Sequence, residues 1–174
     1  GIDFSAIPKS ERFTFNPKFF YYPTEKTTLV FGINSTFEDR IGGDMHFIDG
    51  KGDATHSYFE QNKTKRISSQ FSLDHAFGKC SHFTVKNSVS YFNRELSTPG
   101  YQFDGTQYAT FSEATYANHG EIMEWVAGVH LWTDSFKEPG NSSALRNYNH
   151  TTFGAFVQNN YNSYAVHFQA IYNT

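Results

Sequence analysis

Between Arg12 and Asp39 apolar and polar residues alternate with a period of two. Phe13, Phe15, Phe19 and Tyr21 fall on one parity, and Arg12, Thr14, Asn16 and Lys18 on the other. After Pro23–Lys26 the alternation resumes, with Leu29, Phe31, Ile33 and Phe37 set against Thr28, Gly32, Asn34, Thr36 and Glu38. A period of two places alternate side chains on opposite faces of a strand, so the stretch predicts a hairpin with one aromatic and one polar face. Arg, Lys and Glu in mid-strand cannot line a small apolar core. The aromatic face must therefore be covered by something large and apolar, either a second sheet or a lipid bilayer.

The same period recurs along the chain. Residues 1–11 read as a lead-in or the tail of an earlier strand. Residues 58–77 alternate Ile67, Phe71 and Leu73 against Arg66, Ser68, Gln70, Ser72 and Asp74, with Lys63 and Lys65 on the apolar parity at the upper end. Phe83, Val85, Val89 and Tyr91 follow, opposite Thr84, Lys86, Ser88, Ser90 and Arg94. Residues 107–116 form the weakest strand. Residues 122–136 fit a helix or a strand, and Gly128 with the β-branched residues favours the strand. A last hairpin pairs Phe153, Ala155 and Val157 with Tyr164, Val166, Phe168, Ala170 and Tyr172 across residues 159–163. The expected connections alternate in length: short turns near Pro23, Phe77, His119 and Tyr161, and long loops at 40–56, 96–105 and 137–147. The expected fold is all-β, an antiparallel up-and-down meander of about eight strands that forms part of a transmembrane β-barrel. In such barrels short periplasmic turns oppose long external loops. Tyr21, Tyr22, Tyr116, Tyr161 and Tyr164 near the short turns match an interfacial girdle.

Composition sharpens this picture. The 174 residues are one domain's worth, yet only 38 % are hydrophobic, and 19 Phe and 11 Tyr supply most of the 18 % that are aromatic. Such a composition suits strands rather than helices. No run of about 20 apolar residues is present, and the mean hydropathy of −0.57 suits alternating barrel strands. The net charge of −3 gives nucleic acid no electrostatic purchase. Cys80 is the single cysteine, so neither an internal disulfide nor a thiolate metal cluster is expected.

Residues 16–44, NPKFFYYPTEKTTLVFGINSTFEDRIGGD, resemble the barrel region of TonB-dependent outer-membrane receptors. So do 124–136, EWVAGVHLWTDSF, and 151–161, TTFGAFVQNNY. The resemblance implies a location in the outer membrane of a Gram-negative type of cell. It also implies TonB-energised uptake of a large scarce nutrient such as a siderophore, a cobalamin or a glycan. About eight strands are too few for the roughly 22 of such a barrel. Residues 1–174 are accordingly expected to be one piece of the barrel, about a third of a receptor. Its implied partners are the bilayer, the remaining strands, a plug domain and, through that plug, a TonB-type energising protein.

Lumen candidates are the charged residues of the polar parity: Arg12, Lys18, Arg66, Asp74, Lys86, Arg94, Glu124, His130 and Asp134. Loop candidates are Asp44, His46, Asp49 and Asp53. Each has a plainer role in solvating the wall or holding a plug. Arg66, Arg94, Glu124, His130, Asp134, Asp44 and His46 are the foremost ligand contacts. The 49–53 run lacks full calcium-loop spacing, and His46 with His56 form no recognisable metal pair, so neither a metal nor a cofactor is expected. No nucleophile elbow or phosphate loop is present, and Glu113, Glu121 and Glu124 show no glycosidase pairing, so no enzyme is expected. The competing readings are a complete eight-stranded outer-membrane barrel with a structural or adhesive role, and a soluble carbohydrate-binding β-sandwich.

Overall fold

The computed structural model describes residues 4, 5, 7–139, 146–162 and 167–173, with the backbone alone for 162 and 167–173. It is one antiparallel sheet. β1 (Lys9–Phe15) and β2 (Lys18–Thr24) both pair with β3 (Thr27–Gly43), and the sheet continues through β4 (Phe59–Phe77), β5 (Ser81–Thr98), β6 (Tyr101–His119), β7 (Met123–Lys137), β8 (Tyr148–Asn162) and β9 (His167–Asn173). β1 and β2 are two halves of one edge strand. Phe15 pairs Ser35 and Lys18 pairs Gly32, so the register runs unbroken across Asn16 and Pro17. Pro17 has no N–H to give the ladder but still accepts from Ile33 N at 3.1 Å. Eight strand positions result, in chain order, and among the described residues the two outer strands do not pair with each other.

From β3 to β9 the pairing shows no register shift, so the alternation read from the sequence is carried intact across the sheet. One row of the aromatic face reads Leu29, Leu73, Val85, Ala114, Val129, Ala155, and the next reads Phe31, Phe71, Asn87, Ser112, Leu131, Phe153. Toward the end that carries the longer loops this face turns polar. There Asn93 is buried and donates to Asp104 Oδ1 at 2.8 Å and Thr106 Oγ1 at 3.1 Å, and Lys63 stands 3.8 Å from Asp39.

Several boundaries differ from the sequence expectation. Lys9–Glu11 belong to β1 rather than to a lead-in, because β3 extends to Gly43 and gives them a partner. The expected loop at 40–56 thus starts later, and Met45–Ile48 coil into a short helix, α1, capped by Asp44. Residues 96–105 are not a long loop. β5 and β6 meet in a two-residue turn at Pro99–Gly100, where Gly100 takes φ +80° after proline, the arrangement of a type II turn. Gly105, which reads as a turn glycine beside Asp104, lies inside β6. The rings of Phe103 and Phe136 occupy the space that a Cβ would need. The weak stretch at 107–116 is the middle of a 19-residue strand, held by neighbours on both sides. Residues 159–162 are not a turn but the end of β8, because Asn159 pairs Ala170 and Tyr161 pairs Phe168. Tyr164 and Val166 lie outside the described residues.

The sheet has no conventional core. Among the described residues Ala117 is the one buried hydrophobic side chain, and no large side chain is fully buried. A single layer leaves Phe13, Phe19, Phe31, Leu131, Phe153 and Val157 exposed together on one face.

Candidate functional site

The register places Arg12, Lys18, Arg66, Asp74, Lys86, Arg94, Glu124, His130 and Asp134 on one face, the polar one. It does not gather them into one site. Near the short turns Glu124 Oε1 stands 3.8 Å from His119 Nδ1, and the His119 ring lies against that of His82 with centroids 4.9 Å apart. Asp74 accepts from Thr84 Oγ1 at 2.7 Å and Ser72 Oγ at 3.0 Å, and Lys86 Nζ faces Glu113 at 3.9 Å. A cleft of about 290 Å³ beside Lys86 is lined also by Lys18, Gln70, Ser72, Ser88 and Phe111. On the opposite, aromatic face a wider hollow of about 540 Å³ lies between Phe83 and Val157, where Ala114, Ala127 and Ala155 leave space. It offers almost no polar group to orient a ligand.

Toward the long loops the face divides into two halves. On β4 and β5, Arg66 lies over the Phe92 ring at 4.9 Å, and Arg94 Nε donates to Asn62 Oδ1 at 3.2 Å. Arg66 pairs Phe92 and Thr64 pairs Arg94, so the two guanidinium groups are diagonal neighbours. On β6 to β8 the polar group is a triangle. Gln107 Nε2 donates to both Asp134 oxygens, at 2.8 and 3.0 Å, and lies 3.3 Å from the Tyr148 hydroxyl, which itself donates to Asp134 Oδ2 at 3.2 Å. Phe136 stacks on Tyr148 at 5.7 Å, and His150 lies 5.0 Å beyond. The His130 imidazole packs directly over Gly154 and runs nearly parallel to Phe111 at 6.1 Å. Gln107, Tyr148, Phe136 and His150 are absent from the sequence candidates. Parity alone would have pointed to Gln107, whereas Tyr148 begins a strand directly after a stretch that reads as loop.

The loop candidates serve the loop first. Asp44 is buried, accepts from His46 N at 2.8 Å as the cap of α1, and donates its own N–H to Tyr58 O at 2.9 Å. Asp49 closes the same helix. Asp53 accepts from Thr55 N and Oγ1 and from His56 N, which holds its carboxyl below the usual carboxylate range. His46 lies on His56 with ring centroids 4.6 Å apart. Across the β7–β8 connection, Arg146 Nε and Nη2 grip Glu138 at 3.0 and 2.9 Å, lowering the Glu138 pKa and raising that of Arg146. Among the described residues no three His, Cys, Asp or Glu side chains stand close enough to hold a metal ion.

No protein-family model matches the sequence, and no curated protein matches it. Among solved structures the chain is similar to one titled Copper transporter OprC, with a TM-score of 0.68 at 8 % identity, over 90 % of this chain and 29 % of that one. The chain thus spans less than a third of that structure's length. At such identity the likeness is one of fold, and the fold is an antiparallel open meander similar to that of an outer-membrane barrel.

Proposed function

We propose that the chain is a section of the wall of an outer-membrane transport barrel, its aromatic face toward lipid and its polar face toward the lumen. One observation carries this reading: among the described residues a sheet of long strands has almost no buried core and exposes many large apolar side chains, Phe13, Phe19, Phe31, Leu131, Phe153 and Val157 among them, on one face. In water that face would be a large aggregation-prone patch, whereas in a bilayer it is solvated by acyl chains. Dimensions support the reading. From Phe83 to Tyr91 on β5 is about 27 Å along the strand. A tilt of about 40° reduces this to about 21 Å of height, close to the apolar band of outer-membrane barrels. Trp125 and Tyr116, 5.3 Å apart, border the band below, and Tyr91 and Tyr108, 5.1 Å apart, border it above. Strands of 15 to 19 residues exceed what a crossing needs, and the surplus stands on the long-loop side. Among the described residues the two outer strands each have one open edge, which calls for further strands to close the wall, because open edges are not tolerated in hydrocarbon.

Within this reading the barrel belongs to a TonB-energised receptor that imports a large scarce nutrient through a plugged lumen. The resemblance of residues 16–44 to such receptors supports that finer assignment. Cys80, exposed at a short turn, provides the test. In cells carrying the full-length receptor, with any other cysteine removed, an impermeant maleimide is expected to label Asp53→Cys in intact cells and Cys80 only after the outer membrane is permeabilised. Labelling of Cys80 in intact cells, or recovery of the protein without detergent, would overturn the assignment.

A further inference from the structure

β7 is an interior strand, with Phe111 of β6 and Thr152 of β8 directly beside Trp132. Trp132 nevertheless keeps 48 % of its surface exposed, on the polar face, and the edge of the sheet is not the cause. Two residues further along β7, on the same face, lies Asp134 with His150 opposite. Two more bring Phe136, opposite Tyr148, which is 37 % exposed. The rings of Trp132, His150 and Tyr148 therefore follow one another over about 14 Å along the wall. Between them sits the Gln107–Asp134–Tyr148 triangle, whose amide, carboxylate and hydroxyl orient one another. Charge narrows the occupant. β6 and β8 contain no lysine or arginine, and the one on β7, Lys137, falls on the aromatic parity, so this half of the polar face offers no strand cation to an anionic chelate. Arg146, above it, is engaged by Glu138.

We propose that Trp132, His150 and Tyr148, with the Gln107–Asp134 pair between them, form a track for an uncharged oligosaccharide. A pyranose has C–H faces that stack on aromatic rings and a rim of hydroxyls that donate and accept, which matches ring faces interleaved with a carboxylate and an amide. The inference rests on the barrel reading only in taking the polar face as a lumen wall.

The test is titration of the full-length receptor in detergent with three neutral hexasaccharides, maltohexaose, cellohexaose and xylohexaose, followed by tryptophan emission and calorimetry. At least one is expected to give a saturable emission change that Trp132→Phe abolishes, while Tyr148→Phe, which retains the ring, weakens binding about 5- to 10-fold by removing hydroxyl hydrogen bonds. Three results would overturn the proposal: no response to any of the three sugars, binding unchanged in Trp132→Phe, or Trp132 emission that is already blue-shifted and unresponsive because a plug covers it. Sugar binding by a protein recovered without detergent would instead refute the barrel and leave the track standing.

Discussion

Val129 lies on the aromatic face and is 45 % exposed, and the barrel-wall reading puts it in the middle of the apolar band. It is four residues beyond Trp125, about 14 Å along β7, which a tilt of about 40° converts to about 10 Å above the lower girdle. In a band about 25 Å tall that is close to the midplane. Val129→Arg should therefore cost about 2 to 4 kcal/mol of stability in the membrane. Ser135→Arg, on the same face but about 26 Å above the girdle by the same geometry, should cost about 0 to 1 kcal/mol. Ser88→Arg, on the polar face, should fall in the lower range as well. The assay is assembly of the full-length protein into phospholipid vesicles at graded urea, read by the fraction that resists unfolding in cold SDS. A difference of 2 to 3 kcal/mol between the first two variants corresponds to a shift of about 30- to 150-fold in the folding equilibrium. Equal costs for Val129→Arg and Ser135→Arg, or a larger cost for Ser88→Arg, would show that depth in a bilayer does not govern this face.

The Glu138–Arg146 clasp makes the β7–β8 connection sensitive to acid. The folded pKa of Glu138 is lowered, so its contribution is fully present above its ordinary value of 4.5 and is lost as pH falls through the depressed folded value. Protease cutting between residues 138 and 147 should accelerate below about pH 4.5 in the parent, and Glu138→Gln should cut fast at neutral pH with little pH dependence. A parent rate that stays flat down to pH 3 would remove the clasp from the account. On β8, Gly154→Ala would drive a methyl group into the His130 ring and should cost about 1 to 3 kcal/mol in the same urea assay. His130→Ala should relieve most of that in the double variant, and additive costs would show that the two residues do not meet.

The sequence by itself determined which residues share a face. Alternation is a local property of extended backbone, and with no register shift from β3 to β9 each strand's parity matches its neighbour's, so Arg66, Arg94, Glu124, His130 and Asp134 were assignable to the polar face before any pairing was known. It also favoured a strand over a helix for residues 122–136, since Gly128 and the β-branched residues there weigh against a helix, and the structure makes Met123–Lys137 a strand. What it left open was everything set by a partner strand. Residues 96–105 contain Pro99–Gly100 and Asp104–Gly105, two turn signals of equal local strength. Only the pairing of Glu95 with Asp104 and the seating of Phe103 and Phe136 over Gly105 decide that the second pair is strand. The capping role of Asp44 depends on a helix too short to leave a periodic signature. The triangle of Gln107, Asp134 and Tyr148 joins three strands across as many as 41 positions of sequence, and no local pattern encodes such a meeting. The alternation of a strand is written in its own residues, but the neighbours of a side chain are fixed by register, which only the assembled sheet supplies.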